Sequence, residues 1–224
     1  MKKQAGFTLV EIAIVLVIIG LLLGGVLKGQ ELINSAKVKN FANDFKQVPL
    51  FIYGYQDKYK ALPGDDRNTN HVGPAATAAG VADITLTTGT ANGQIDGGYN
   101  STSTTDETVV FWQQVRLANL AAGSTNFTTP ANVLPTNADG GRIGVQSAPP
   151  ITGMSGSYFV CSDGIQGKFA KQIDQTLDDG DTAAGSVRVA ANPTATWSTA
   201  VAAVPLTGTG AIVDSTTYMV CMGF

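Results

Sequence analysis

The sequence predicts an α+β chain in which one long N-terminal helix packs on a small antiparallel sheet head with long loops. Three observations carry this. Residues 7–27 form a continuous apolar run, and residues 28–60 then carry apolar side chains at helical spacing. Short β-prone segments occur only in the last third of the chain, among them Ser157-Tyr158-Phe159-Val160-Cys161 and Thr216-Thr217-Tyr218-Met219-Val220-Cys221. The 224 residues are 44% hydrophobic, but that apolarity is unevenly placed, because residues 64–108 hold almost none. With 14% charged residues and a net charge of −3, the chain has no general electrostatic reason to bind nucleic acid or an acidic membrane surface.

The apolar run starts at Phe7-Thr8-Leu9-Val10 and ends at Gly25-Val26-Leu27. About 21 helical residues span roughly 30 Å, the thickness of a bilayer core. Lys2 and Lys3 precede it, so the positive-inside rule keeps the N-terminus cytoplasmic and sends the remainder outward. A secretory signal peptide would end its apolar region at a small-residue cleavage site. Here the run continues into Lys28-Gly29-Gln30-Glu31, and the small residue Gly6 lies before the run. Glu11 is a carboxylate inside the apolar stretch. A charge at membrane depth costs at least about 2.5–3.5 kcal/mol unless paired. Glu11 therefore either snorkels or protonates near the interface, or meets a specific partner.

Gly6-Phe7-Thr8-Leu9-Val10-Glu11, behind a short basic leader and ahead of an apolar helix, resembles the cleavage and methylation site of type IV prepilins and type II secretion pseudopilins. The resemblance implies a lollipop fold and the division 1–6 leader peptide, 7–27 transmembrane and assembly helix, 28–60 amphipathic stem and 61–224 exported head. It implies cleavage by a prepilin peptidase between Gly6 and Phe7, N-methylation of Phe7, and pairing of Glu11 with the Phe7 ammonium of a neighbouring subunit. Two charges that meet in an apolar filament relieve the penalty that each bears alone, and the pairing fixes axial register. The implied partners are copies of the chain or related pilins, together with an inner-membrane assembly machinery. The implied location is the bacterial inner membrane in a single pass with the head in the periplasm, then a surface pilus or a periplasmic pseudopilus. The chain lacks the proline that many members carry in the membrane half. Gly20, Gly24 and Gly25 stand there instead, and Gly20-x-x-x-Gly24 matches a helix-packing pattern. Alternative readings are a minor or tip subunit of adhesin type and a type II secretion pseudopilin.

In the stem, Val38, Phe41, Ala42, Phe45, Val48, Ile52, Tyr55 and Tyr59 recur mostly at steps of three and four, the spacing of one buried helix face. Pro49 is expected to kink this helix. Leu62-Pro63-Gly64-Asp65-Asp66 supplies turn chemistry that ends it. A Thr/Ala/Gly-rich surface loop is expected from about Thr69 to Thr105, followed by a second helix that runs to Leu120 and stops at Gly123. A strand is also expected at Gly185-Ser186-Val187-Arg188-Val189-Ala190. Ala61-Leu62-Pro63-Gly64-Asp65-Asp66, Phe111-Trp112-Gln113-Gln114-Val115-Arg116-Leu117-Ala118 and Leu177-Asp178-Asp179-Gly180 resemble patches of a pilin-like subfamily.

The two cysteines, Cys161 and Cys221, are too few for a thiolate zinc site. In an exported head they are expected to form a disulfide; two buried thiols are the alternative. No resident cofactor is expected, apart from a weak calcium signal. Asn92, Gln94 and Asp96 place oxygen side chains at alternate positions ahead of Gly97, echoing half of an EF-hand loop. Asp174, Asp178, Asp179 and Asp181 form a second acidic cluster. Solvated turns account for both as well. His71 is the sole histidine, so any histidine-based triad must use it. It is expected on a surface loop, and no catalytic constellation, phosphate loop or zinc motif is present. The expectation is a structural protein and not an enzyme.

Overall fold

The computed structural model describes residues 8–68, 70–71, 91–129 and 134–224. The chain divides into two compact units, Met1–Lys39 and Asn40–Phe224. A single helix, α1 (Leu9–Tyr59), contributes to both. The helical assignment continues through Pro49 without a break.

The first unit consists of the N-terminal part of α1. Its side chains from Leu9 to Leu27 stand exposed, Leu9, Leu21 and Leu27 among the most so. The apolar window is long enough to cross a membrane, and none of it is buried within the chain. Around Gly20, Gly24 and Gly25 no atom approaches where a side chain would stand.

The second unit holds the head. Its part of α1 buries Phe41, Ala42, Phe45, Val48, Ile52 and Tyr55, the face that the periodicity of three and four predicts. Asn43 and Lys46 on the same turns are exposed. Helix α2 (Glu107–Leu117) and helix α3 (Gly167–Leu177) pack beside it. The rings of Phe51 and Trp112 lie 6.3 Å apart edge to face, and those of Phe41 and Phe169 lie 6.1 Å apart. Aromatic pairs in these arrangements add about 0.5–1.5 kcal/mol beyond their area burial.

Strands β1 (Ile143–Gln146), β2 (Phe159–Gln166), β3 (Val187–Ala191) and β4 (Thr217–Gly223) form one antiparallel sheet in the order β1-β2-β4-β3. The three strands expected from sequence are present, and β1 and α3 are additional. On one face Phe159, Cys161, Ala190, Met219 and Cys221 join Tyr99, Ile151 and Met154 in a core. Val160 and Val220, on the opposite face by alternation, are fully buried too. With both faces covered, the sheet shows little hydrophobic alternation in its sequence.

Three expectations need correction. First, the described part of the Thr69–Thr105 stretch is not a mere surface loop: Ile95 and Tyr99 are 1% and 2% exposed and supply core. It is fastened by Ile95 N on Ser147 Oγ at 2.7 Å and Tyr99 N on Gln146 Oε1 at 2.8 Å. Second, α2 ends at Leu117 and not near Gly123. Asn119 adopts the left-handed conformation (φ 60°), and Leu120 N closes back on Val115 O at 2.9 Å, a helix stop that asparagine supports as glycine does. Third, His71 is half-buried and not free on the surface.

Candidate functional site

The N-terminal segment and the base of the head carry the chemistry. At the start of α1, Thr8 and Glu11 cap each other. Thr8 N and Thr8 Oγ1 donate to Glu11 Oε2 at 2.8 and 2.7 Å, and Glu11 N donates to Thr8 Oγ1 at 3.3 Å. This is a capping box: a threonine at the helix entrance and a glutamate three residues on satisfy backbone donors that the helix leaves open. The helix dipole favours a carboxylate at this end. Glu11 therefore has partners in its own chain, and its side chain is held at the first helical turn, near the N-terminal end of the apolar run. Gly6 and Phe7 lie outside the described residues.

The head is fastened by a disulfide between Cys161 and Cys221. The two are cross-strand partners on β2 and β4, and both are fully buried. The bond joins strands separated by 60 residues of chain. It thereby pins the C-terminal strand at the centre of the sheet.

A buried polar knot locks the end of α1 to α2. Tyr55 Oη donates to Asp66 Oδ2 at 2.8 Å. Gly64 N donates to Gln114 Oε1 at 2.6 Å, and Gln114 Nε2 donates to Asp66 O at 2.9 Å. Arg67 pairs with Glu107 and lies 3.7 Å from Asp65. Asp65 in turn accepts from Gly93 N at 2.7 Å, and Glu107 from Asp96 N at 2.9 Å. Gly64 has φ +93°, and a Cβ there would stand 2.8 Å from Glu107 O, so this turn requires glycine. Burial pushes the Glu107 carboxyl above its ordinary range, with Asp65 adding to the effect and Arg67 and the Asp96 amide opposing it. Two of the three subfamily-like patches, around Gly64-Asp65-Asp66 and Gln113-Gln114, are thus the two halves of one knot. Sequence reasoning found each patch but not their union, since the partners are about fifty residues apart.

His71 belongs to this knot. Its Nδ1 bonds Asp66 Oδ2 at 2.7 Å, its Nε2 faces Asn68 Nδ2 at 2.9 Å, and its ring stacks on Tyr59 at 5.1 Å. A neutral ring that donates from Nδ1 and accepts at Nε2 satisfies both bonds. Both nitrogens are thereby engaged in structural contacts.

The two calcium candidates differ. Asn92 Oδ1 accepts from Gln94 N at 2.8 Å, and Asn92 Nδ2 donates to Asp96 Oδ2 at 2.9 Å. Asn92, Gln94 and Asp96 are all exposed, and the turn satisfies itself. At the far end of α3, by contrast, Asp174, Asp178 and Asp179 bring carboxylate oxygens within 4.8 Å of one another. Burial pushes the Asp174 carboxyl up to about 6, with the charges of Asp179, Asp178 and Asp181 behind it and the bond from Gly180 N opposing. No basic residue stands in the last turn of α3.

Residues 1–27 match the family model described as "Prokaryotic N-terminal methylation motif". The match covers the basic leader, the Gly6-Phe7 step, Glu11 and the whole apolar run, and it ends before the head. It is the prepilin-type signature of type IV pilins and pseudopilins. No curated protein and no solved structure matches the chain.

Proposed function

We propose that this chain, a precursor bearing the pilin-type methylation motif, is a structural subunit of a helical type IV filament. A prepilin peptidase cuts between Gly6 and Phe7 and methylates the new amine of Phe7. The subunit then joins copies of itself or related pilins through the apolar half of α1. The single observation that carries this reading is the apolar stretch of α1 from Leu9 to Leu27, exposed along its length within the chain, which begins with a capped glutamate inside the matched motif. Such a surface needs lipid before assembly and other helices after it.

The capping box refines the expected role of Glu11. In the subunit its carboxylate is satisfied by Thr8, so crossing into a filament requires no bare charge. In the filament the Phe7 ammonium of a neighbour adds a charge-assisted bond to the same carboxylate. Correct axial register is the arrangement in which that ammonium finds a partner.

The head plays a supporting part. The disulfide and the polar knot make it rigid, and the knot ties it to the last turns of α1. Fractionation of the native cell tests the proposal. The chain is expected in sheared surface filaments, or in cross-linkable periplasmic oligomers if it is a pseudopilin. A chain that stays monomeric in the membrane under assembly conditions overturns it.

A further inference from the structure

Asp44, Val48 and Phe51 follow one another at steps of four and three along α1, and Trp112 and Arg116 lie four apart on α2. Each set therefore shares one helix face. The two faces meet at the edge-to-face contact of Phe51 and Trp112. Beside that contact they leave a cleft of about 190 Å³, lined also by Ile143 of β1. Gln47 and Ala122, which are exposed and line it too, place it at the surface of the head.

Two opposite charges line this cleft without pairing. Arg116 is 7% exposed. Its Nη1 donates to Ser124 O at 2.9 Å, and its guanidinium lies 5.3 Å from the centre of the Phe127 ring. Its Nε has no hydrogen-bond partner among the described residues, and neither has Nε1 of the buried Trp112. Asp44 is half-buried and accepts no hydrogen bond among the described residues. Burial alone pushes its carboxyl up to about 6, and burial alone lowers the Arg116 pKa from its ordinary value. Neither charge acts on the other. A buried charge without a partner is costly, and here one of each sign borders the same space.

These charges define the occupant. A simple anion would answer Arg116 but meet Asp44, and a simple cation would answer Asp44 but meet Arg116. A zwitterion answers both. Its carboxylate fits the planar fork of the guanidinium, whose five N–H donors exceed the one bond to Ser124 O. Its ammonium fits the Asp44 carboxylate. Val48, Phe51, Trp112 and Ile143 supply apolar contact between the two ends. The volume is below the roughly 300–1,000 Å³ of sites for drug-sized ligands, so the occupant is a small metabolite.

We propose that the cleft between α1 and α2 binds a free α-amino acid with an apolar side chain, its carboxylate held by Arg116, its ammonium by Asp44 and its side chain against Phe51 and Trp112. The binding neither requires filament assembly nor follows from it.

The test is calorimetric titration of the full chain, purified in detergent, with L-leucine and with two analogues that each lack one charge, 4-methylpentanoate and 3-methylbutylamine. The expected result is one L-leucine per chain with Kd between about 10⁻⁵ and 10⁻³ M, within the efficiency range of small ligands. Both analogues are expected to bind at least about tenfold more weakly, since each forfeits one charge-assisted contact. Asp44→Asn is expected to weaken L-leucine at least about tenfold without lowering the Tm of the ligand-free chain, because burial disfavours the charge that it removes. Arg116→Gln is expected to abolish binding, with the ligand-free Tm as the check that it folds. Absence of heat up to about 10 mM L-leucine, about ten times the weakest expected Kd, overturns the proposal. So does an analogue that binds as tightly as L-leucine, or L-leucine binding that Asp44→Asn retains at wild-type strength. Self-association that Asp44→Asn abolishes, with no heat from L-leucine, would give the cleft to a second copy of the chain and equally overturn it.

Discussion

Thr8 and Glu11 close on each other at the entrance of α1, with the threonine amide and hydroxyl both on one carboxylate oxygen, at 2.8 and 2.7 Å. The residue that an apolar segment tolerates least is thereby also the residue that completes the first turn of its helix. Two roles follow for Glu11, and they separate experimentally. Glu11→Gln retains the capping geometry, because glutamine serves in the same box, but it removes the charge. Glu11→Ala removes both. If charge pairing drives assembly, both variants insert in the membrane and both fail to form filaments, as measured by comparing sheared and membrane fractions. Normal filament yield from Glu11→Gln would leave only the capping role.

Gln114 is fully buried and bridges Gly64 N to Asp66 O. Gln114→Leu keeps most of the volume but leaves one buried donor and one buried acceptor without partners. The expected loss is about 2–4 kcal/mol of head stability, read from the urea midpoint of the detergent-solubilised chain. A loss below about 0.5 kcal/mol, the range of ordinary surface substitutions, would show that the knot is not a structural latch.

Reduction of Cys161–Cys221, or Cys161→Ala with Cys221→Ala, is expected to cost about 2–5 kcal/mol. The closed loop spans 60 residues, and the chain-entropy model alone gives about 4 kcal/mol for that length. Denaturation with and without reductant measures it. Coincident curves would contradict the assignment of the disulfide as the staple of the last strand.

Asp163 provides a pH signature. Burial raises its carboxyl pKa, against the opposing effects of the Arg142 amide and the Arg142 charge. A raised folded value means that the ionised form is disfavoured by folding. The contribution of Asp163 to stability is therefore complete below the ordinary carboxylate range, about 4, and is lost as pH rises through the raised value. Asp163→Asn keeps an acceptor for Arg142 N, now at 2.6 Å, and removes the titration. The variant is expected to gain on the wild type as pH rises from 4.5 to 7.5 (about the limits of the window). An equal stability difference at both ends would exclude the effect.

The sequence made some elements readable and hid others for physical reasons. The stem face was readable because Phe41, Phe45, Val48, Ile52 and Tyr55 face one core at helical spacing. The extent of α2 was not, because all of its residues are buried and periodicity vanishes when no face meets water. Helix α3 did leave a signal in Phe169, Ala170 and Ile173, which are its buried apolar side chains, but it starts with glycine and has no side-chain cap. Strand β1 has four residues, all buried, too short to display alternation. The polar knot was hidden for another reason: Gly64 and Gln114 meet only through the fold. In the N-terminal segment the three-residue spacing of Thr8 and Glu11 is itself the signature of a capping box, and the structure forms that box.

Intact-mass spectrometry of the sheared surface fraction from the native cell is the most direct test of the filament account. The account predicts a species of residues 7–224 carrying one added methyl group and lacking the two hydrogens of the disulfide. A surface-exposed chain that still begins at Met1, without the methyl group, would contradict it.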